Sequence, residues 1–389
     1  MENEVIHQRA LDIAPWVIER RRELHMHPEL GGYEENTQRY LLKQLADMGI
    51  ETVTYPGQYA VVGMIRGTFP GKTIALRADM DGLPVLETTS LPFASRESGK
   101  MHACGHDAHM AIALGAAKLL VEYRDQVHGN VKLLFEPAEE TIGGAQDMVA
   151  AGCMENPHVD AVFGLHMLPD QPAGVVFTKP GSVSGSSNAI NITITGKGCH
   201  GAYPERGVDA VAISAQIITA LQTLVSRNIS PLDSAVVTFG KITGGTARNV
   251  ICDQVRLEGT LRTLKPETRA LLKQKLHTIP KSIAEAMGGS AEVEVLDGYP
   301  AVINDEALHE QFLSLAKDMV GEGRIVTRLY PSMGVESFSF FIANTPGVYY
   351  DLGCGVGPAL HMCDFTVDES CLPVGVALQT AMMLTLLKG

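Results

Sequence analysis

Positive charge is scarce in this sequence: 31 Lys and Arg stand against 44 Asp and Glu, a net charge of -13. An acidic surface cannot neutralise phosphates or an anionic bilayer, so nucleic acid and membrane are excluded as partners and a small molecule is expected. An uninterrupted apolar run of roughly 18 residues is also missing, which excludes a transmembrane helix. The first residues, Met1-Glu2-Asn3-Glu4-Val5, are acidic and no basic segment leads into an apolar one, so no signal peptide is expected. Nor is there a disulfide framework. The seven cysteines, at 104, 153, 199, 252, 354, 363 and 371, are odd in number and scattered, which suits a reducing compartment, the cytoplasm. A composition of 45% hydrophobic residues excludes disorder, while 39 glycines and 20 prolines mark many turns.

The chain's 389 residues exceed the roughly 250–300 at which one core stops growing, so two domains are expected. Apolar residues at helical spacing predict a helix from about Ile6 to Leu24, with Ala10, Ile13, Val17 and Ile18 on one face. A second helix runs from about Glu35 to Met48. Strands are predicted at Glu51 to Tyr55, Ala60 to Ile65, Thr73 to Arg77, Asn130 to Glu136 and Val159 to Leu165, with a helix at Met110 to Tyr123. This alternation predicts an α/β domain with a mostly parallel sheet flanked by helices. Asp79 and Glu139, just past strand ends, lie where open α/β sheets gather their sites. Ser182 to Ser187 is small and polar, a hinge or linker. Strand, helix, two strands, helix and strand follow, the pattern of a smaller α+β sandwich. Site-like motifs resume after about Pro300, so the smaller domain reads as an insertion: residues 1–183 and 298–389 form the large domain and 184–297 the inserted one.

One stretch concentrates the chemistry. Met101 to His109 holds a thiol, three imidazoles and a carboxylate, and Gly105 lets a bent backbone turn Cys104 and His106 toward one point. Glu139-Glu140 ends the strand run at Phe135, and adjacent carboxylates pointing in different directions can divide two jobs; a solvated acidic turn is the alternative. His166 ends another strand run, and His361 sits on the loop Gly357-Pro358-Ala359-Leu360-His361, where packing rarely demands imidazole. Together Cys104, His106, Glu140, His166 and His361 suit two divalent ions with a bridging group and open positions for water.

Six motifs occur in one order: Arg77-Ala78-Asp79-Met80-Asp81-Gly82-Leu83-Pro84, Cys104-Gly105-His106-Asp107, Pro137-Ala138-Glu139-Glu140, Gly164-Leu165-His166, Gly196-Lys197-Gly198-Cys199-His200-Gly201-Ala202 and Leu360-His361. In these the chain resembles the M20 metallopeptidases, and within them the amidohydrolase branch of hippurate hydrolases, auxin-conjugate hydrolases and N-acetyldiaminopimelate deacetylases. The resemblance implies a catalytic domain with a dinuclear site and an inserted lid that also mediates dimerisation. It implies Cys104 as the bridge, with His106, Glu140, His166 and His361 completing the ligands, and Asp79 orienting a ligand from behind. Zn, Mn, Co and Ni remain open. Departures fall at Ser337, Cys199, Glu205 and Met362-Cys363, which bear on substrate preference and remove no ligand.

The expected activity is metal-dependent hydrolysis of an N-acyl amino acid, N-acetyl or N-aroyl, by a cytoplasmic homodimer or higher homo-oligomer. Glu139 is the expected proton carrier and His200 the donor to the developing oxyanion, acting across a dimer interface. Asn249, with Arg248 or Arg262, is expected to meet the substrate carboxylate. A dipeptidase or aminoacylase-type metallopeptidase is the nearer alternative and a non-catalytic metal-dependent binding protein the distant one.

Overall fold

The structure, a computed structural model, describes residues 3–141 and 143–388. The apolar stripe at the start of the chain forms two helices, α1 (Asn3–Asp12) and α2 (Ala14–Met26), where one was expected from Ile6 to Leu24. Pro15 is the reason: it has no N–H to extend a helix but suits the first turn of a new one. Ile6, Ala10, Ile13 and Val17 are buried all the same. The chain continues through α3 (Glu35–Asp47), β1 (Glu51–Thr54), β2 (Val61–Arg66), β3 (Phe69–Asp79), α4 (His106–Glu122), β4 (His128–Glu136), α5 (Gly144–Ala150), β5 (Ala161–Leu168) and β6 (Val176–Thr178). Next come β7 (Gly181–Ser184), β8 (Ser186–Thr195), β9 (Cys199–His200), α6 (Ala210–Asn228), β10 (Ala235–Gly244), β11 (Val250–Ile251), β12 (Gln254–Thr263), α7 (Pro266–Ala286) and β13 (Ser290–Asp297). The last elements are β14 (Val302–Asn304), α8 (Glu306–Val320), β15 (Ile325–Thr327), α9 (Phe338–Phe341), β16 (Gly347–Gly353) and α10 (Leu372–Leu386). The polar stretch Ser182 to Ser187, expected as a linker, is strand on either side of Gly185.

Two compact units result: the chain up to Val183 with Ile303–Tyr330 and Ser337 onward, and Ser184–Val302 with Pro331–Glu336. The second extends past the expected limit of 297. Hydrogen bonds explain this, because Ser187 N–H donates to Tyr299 O at 2.8 Å and Gly185 N–H to Gly334 O at 2.9 Å.

The first unit is an α/β domain built on an eight-stranded sheet in the order β1, β2, β4, β3, β5, β16, β6, β15. Its centre, β4 to β16, is parallel, and the outer β1, β2 and the β16–β6 pair are antiparallel. Every residue of β16 is buried, as expected of a strand covered on both faces. α4 and α10 are apolar nearly all round and pack on each other in the core. The second unit carries an antiparallel sheet in the order β10, β12, β8, β13. Ile190, Ile192 and Ile194 alternate onto one face of β8, and Ile213, Ile217 and Leu221 of α6 with Leu272 and Leu276 of α7 complete that core.

By length and composition α6 and the 18 residues Glu369–Leu386 would suffice to cross a membrane. The latter is 78% buried inside its unit, and α6 buries one face on its sheet.

Candidate metal centre

The parallel strands deliver their carboxyl ends to one place in the first unit. β3 ends at Asp79 beside Glu136, the last residue of β4. β5 carries His166 near its end, opposite Asp351 of β16. Between β3 and α4 the chain turns at Gly105, whose φ of +85° is open to glycine at little steric strain. A Cβ there would also stand 2.8 Å from Met167 Cγ. That turn starts α4 at His106, four residues before the expected start, and brings the imidazole into the cluster.

All five ligands expected from the sequence converge. Donor atoms of Cys104, His106 and His166 lie within 4.8 Å of one another, as do those of Cys104, Glu140 and His361, and those of His106, Glu139 and Glu140. Cys104 Sγ is 3.4 Å from His166 Nε2, and His361 Nε2 is 3.1 Å from Glu140 Oε1. Hydrogen bonds on the far side of each ring aim these atoms. His106 Nδ1 faces the Asp81 carbonyl at 2.9 Å and Asp81 Oδ1 at 3.1 Å, and His166 Nδ1 donates to Met167 O at 2.8 Å. Each Nε2 thus presents a lone pair. His361 has a φ of +66°, a rare conformation for a non-glycine residue and one that clusters at functional sites.

The residues fit metal ions on three counts. His106 Nε2 is buried with no hydrogen-bond partner among the described residues, which is uncommon unless a ligand completes it. Burial pushes the Cys104 thiol well above its usual range, so a thiolate there calls for a cation beside it. Burial would also raise Glu140, but His361, His106 and Cys104 outweigh it and draw the carboxyl down to about 2. The donor set mixes thiolate, imidazole and carboxylate, which suits borderline transition ions.

Asp79 hydrogen-bonds His109 rather than one of the five expected ligands. Its Oδ1 accepts from His109 Nδ1 at 2.6 Å and Arg77 Nη1 donates to its Oδ2 at 2.6 Å, while His106 Nε2 stays 3.7 Å away. Burial would raise this carboxyl, but Arg77, His106 and His109 hold it well below the usual range. The residue fixing the His106 ring is Asp81. Sequence reasoning missed Asp81 and His109, although His109 lies one helical turn beyond His106, the spacing that shares a face. Arg77 Nη2 also donates to Ser337 Oγ at 2.9 Å, and the Ser337 N–H donates to Glu139 Oε1 at 3.3 Å.

The remaining expected residues belong to the second unit. His200 in β9 pairs with Val250 of β11, and Gly201 N–H donates to Asn249 O at 2.8 Å, so His200 and Asn249 are neighbours. Arg248 is exposed beside them. Arg262 is not with them. It faces Ser187, whereas the His200 turn follows Thr195 at the other end of β8, roughly 26 Å away at ~3.3 Å per residue.

An α/β sheet whose strand ends gather a thiol, three imidazoles and two adjacent carboxylates defines a metal-dependent hydrolase. Residues 75–385 match Peptidase family M20/M25/M40, and the chain belongs to that family. It is 38% identical over 361 residues to an N-acetyldiaminopimelate deacetylase of Anoxybacillus flavithermus, covering 92% of this chain and 94% of that one. It is also 38% identical over 373 residues to thermostable carboxypeptidase 1 of Saccharolobus solfataricus, covering 94% and 93%. The crystal structure of the Bacillus subtilis YXEP protein, a dinuclear metal binding peptidase from the M20 family, is similar with a TM-score of 0.82 at 33% identity, covering 99% of each chain. The protein is an amide-bond hydrolase whose donor groups accommodate two metal ions.

Proposed function

We propose that the protein hydrolyses N-acyl amino acids, N-acetyl or N-aroyl, to a carboxylate and a free amino acid, with Cys104, His106, Glu140, His166 and His361 holding two divalent ions. The observation that carries this reading is that Cys104 Sγ lies within 4.8 Å of donor atoms of His106 and His166 on one side and of Glu140 and His361 on the other, so that its thiolate would serve both ions. Ions bound there supply Lewis acidity, polarising the amide carbonyl and acidifying the attacking water. Zn, Mn, Co and Ni all suit the donor set. Glu139 takes the proton of that water and hands it to the leaving nitrogen, its carboxylate steadied by the Ser337 N–H. Asp79 acts from behind through His109.

His200 donates to the developing oxyanion, and Asn249 with Arg248 meets the amino-acid carboxylate. Arg262 Nη1 is buried with no hydrogen-bond partner among the described residues, which supports an anionic partner for it. A homodimer in which His200 serves the partner's site completes this reading. All seven cysteines are free, which supports a cytoplasmic location. The similarity to a carboxypeptidase favours a second reading, cleavage of dipeptides.

Glu139→Gln and Glu140→Gln test the assignment. The first is expected to keep metal and lose on the order of 10²–10⁴ in kcat; the second is expected to lose metal on dialysis. Should Glu139→Gln shed metal while Glu140→Gln keeps it, the two roles are reversed. A panel of N-acetyl, N-benzoyl and dipeptide substrates with each candidate metal separates the two activities.

A further inference from the structure

Ala138 has a φ of +56°, a left-handed conformation that an alanine adopts only when its surroundings impose it. It immediately precedes Glu139 and Glu140, so the direction of both carboxylates depends on it. The groups that impose it are buried carboxylates. Glu34 is 0% exposed, and its Oε1 accepts the Ala138 N–H at 2.6 Å. Two residues on, Asp81 Oδ2 accepts the Glu140 N–H at 3.0 Å. Asp81 also holds His106, so its place in the site is already accounted for.

Glu34 has no comparable explanation. It stands at the N-cap position of α3, yet its side chain caps nothing there. Glu29 does that instead, accepting the Thr37 N–H at 2.8 Å. Glu34 Oε2 is buried without a hydrogen-bond partner among the described residues. Burial, with the Asp81 charge adding to it, pushes the carboxyl up to about 7 despite the backbone amides it accepts from. The chain beside it is shaped for close approach: a Cβ on Gly31 would stand 2.7 Å from Thr141 Oγ1 and 3.1 Å from both Ala138 Cα and Asp81 Oδ2. A desolvated carboxyl has thus been brought to the backbone amide that precedes the reactive pair.

We propose that Glu34 is a positioning residue for the hydrolytic reaction: by accepting the Ala138 N–H it holds that residue left-handed and turns Glu139 and Glu140 toward the donor cluster. The inference rests on the assignment of Glu139 as proton carrier and Glu140 as ligand.

Three substitutions in the full-length protein separate this from a packing role. Glu34→Gln keeps an oxygen acceptor at the same reach; Glu34→Met keeps the volume without an acceptor; Glu34→Asp keeps the charge without the reach. Each is assayed for fold by circular dichroism, for Co2+ uptake by equilibrium dialysis and thiolate-to-Co2+ absorption, and for kcat and KM on an N-acetyl amino acid. The Gln variant is expected to stay within about threefold of the parent. The Met and Asp variants are expected to lose roughly 10–100-fold in kcat or Co2+ affinity, as removal of a supporting hydrogen bond behind a metal site does, with KM little changed. Gln as damaged as Met overturns the proposal, and so does a folded Met or Asp variant with parental kcat and Co2+ uptake. If the Met variant does not fold, the Asp variant decides by the same criteria. Glu139→Gln assayed in parallel tests the underlying assignment: parental activity there removes that assignment, whereas its loss beside an intact Glu34→Met removes only the part given to Glu34.

Discussion

A carboxyl group with no exposed surface titrates against its own burial, and Glu34 does so near neutrality. Its pKa is raised from an ordinary 4.5 to about 7, first by desolvation and then by the charge of Asp81. A carboxyl raised in the folded state favours folding fully below 4.5, where both states hold the proton, and that contribution is lost as pH rises through about 7. Glu34→Gln has no such proton. In thermal melts of the metal-free proteins, the parent is therefore expected to lose ground to the Gln variant between about pH 4.5 and 7, with a constant gap above. Parallel curves across that range would contradict the shift. Residues of this kind were the least legible in the sequence. Cys104, His106, Glu139 and Glu140 announce themselves by chemical type and adjacency. Asp81, His109 and Glu34 act through partners distant in the chain, such as the Ala138 amide 104 positions away from Glu34, and spacing carries no trace of that.

Helix contacts in the first unit turn on small residues. A Cβ on Gly115 of α4 would stand 2.6 Å from Val376 Cγ2 of α10 and 2.9 Å from Val17 Cγ2 of α2. Two opposing effects meet there. Alanine is the better helix former by ~1 kcal/mol, whereas overpacking a filled core costs about 1–3 kcal/mol. Valine methyls are held by a stiff χ1 and yield little, so Gly115→Ala is expected to destabilise and to lower the urea midpoint; a raised midpoint would mean the helices separate freely. Such contacts also show what periodicity can convey. The apolar runs of β4 and β5 and the alternation of Ile190, Ile192 and Ile194 carried the strands, because burial on one or both faces writes itself into the pattern. The break before Pro15, the early start of α4 at Gly105 and the pairing of Ser182 to Ser187 depend on single positions or long-range partners. A window of residues averages them away.

Across the whole molecule, the proposed dimer makes a prediction that no single site can. If His200 serves the partner's site, mixing a Glu139→Gln chain with a His200→Ala chain and exchanging subunits yields one site per mixed dimer with both residues intact, and activity reappears from two nearly inactive proteins. No recovery after verified exchange excludes the trans arrangement. The topology has a further consequence, for biogenesis. β16 lies between β5 and β6 in the sheet although it is synthesised long after both, and it places Asp351 against His166, with His361 later still. A nascent polypeptide therefore carries strand edges open to wrong pairing through most of its synthesis, and closing them is a slow, non-local event. If His361 is a ligand as proposed, ion loading follows translation past that residue, and products terminated before β16, with neither a closed sheet nor a full set of donors, are expected to go to chaperones and proteases rather than act as partially active enzymes.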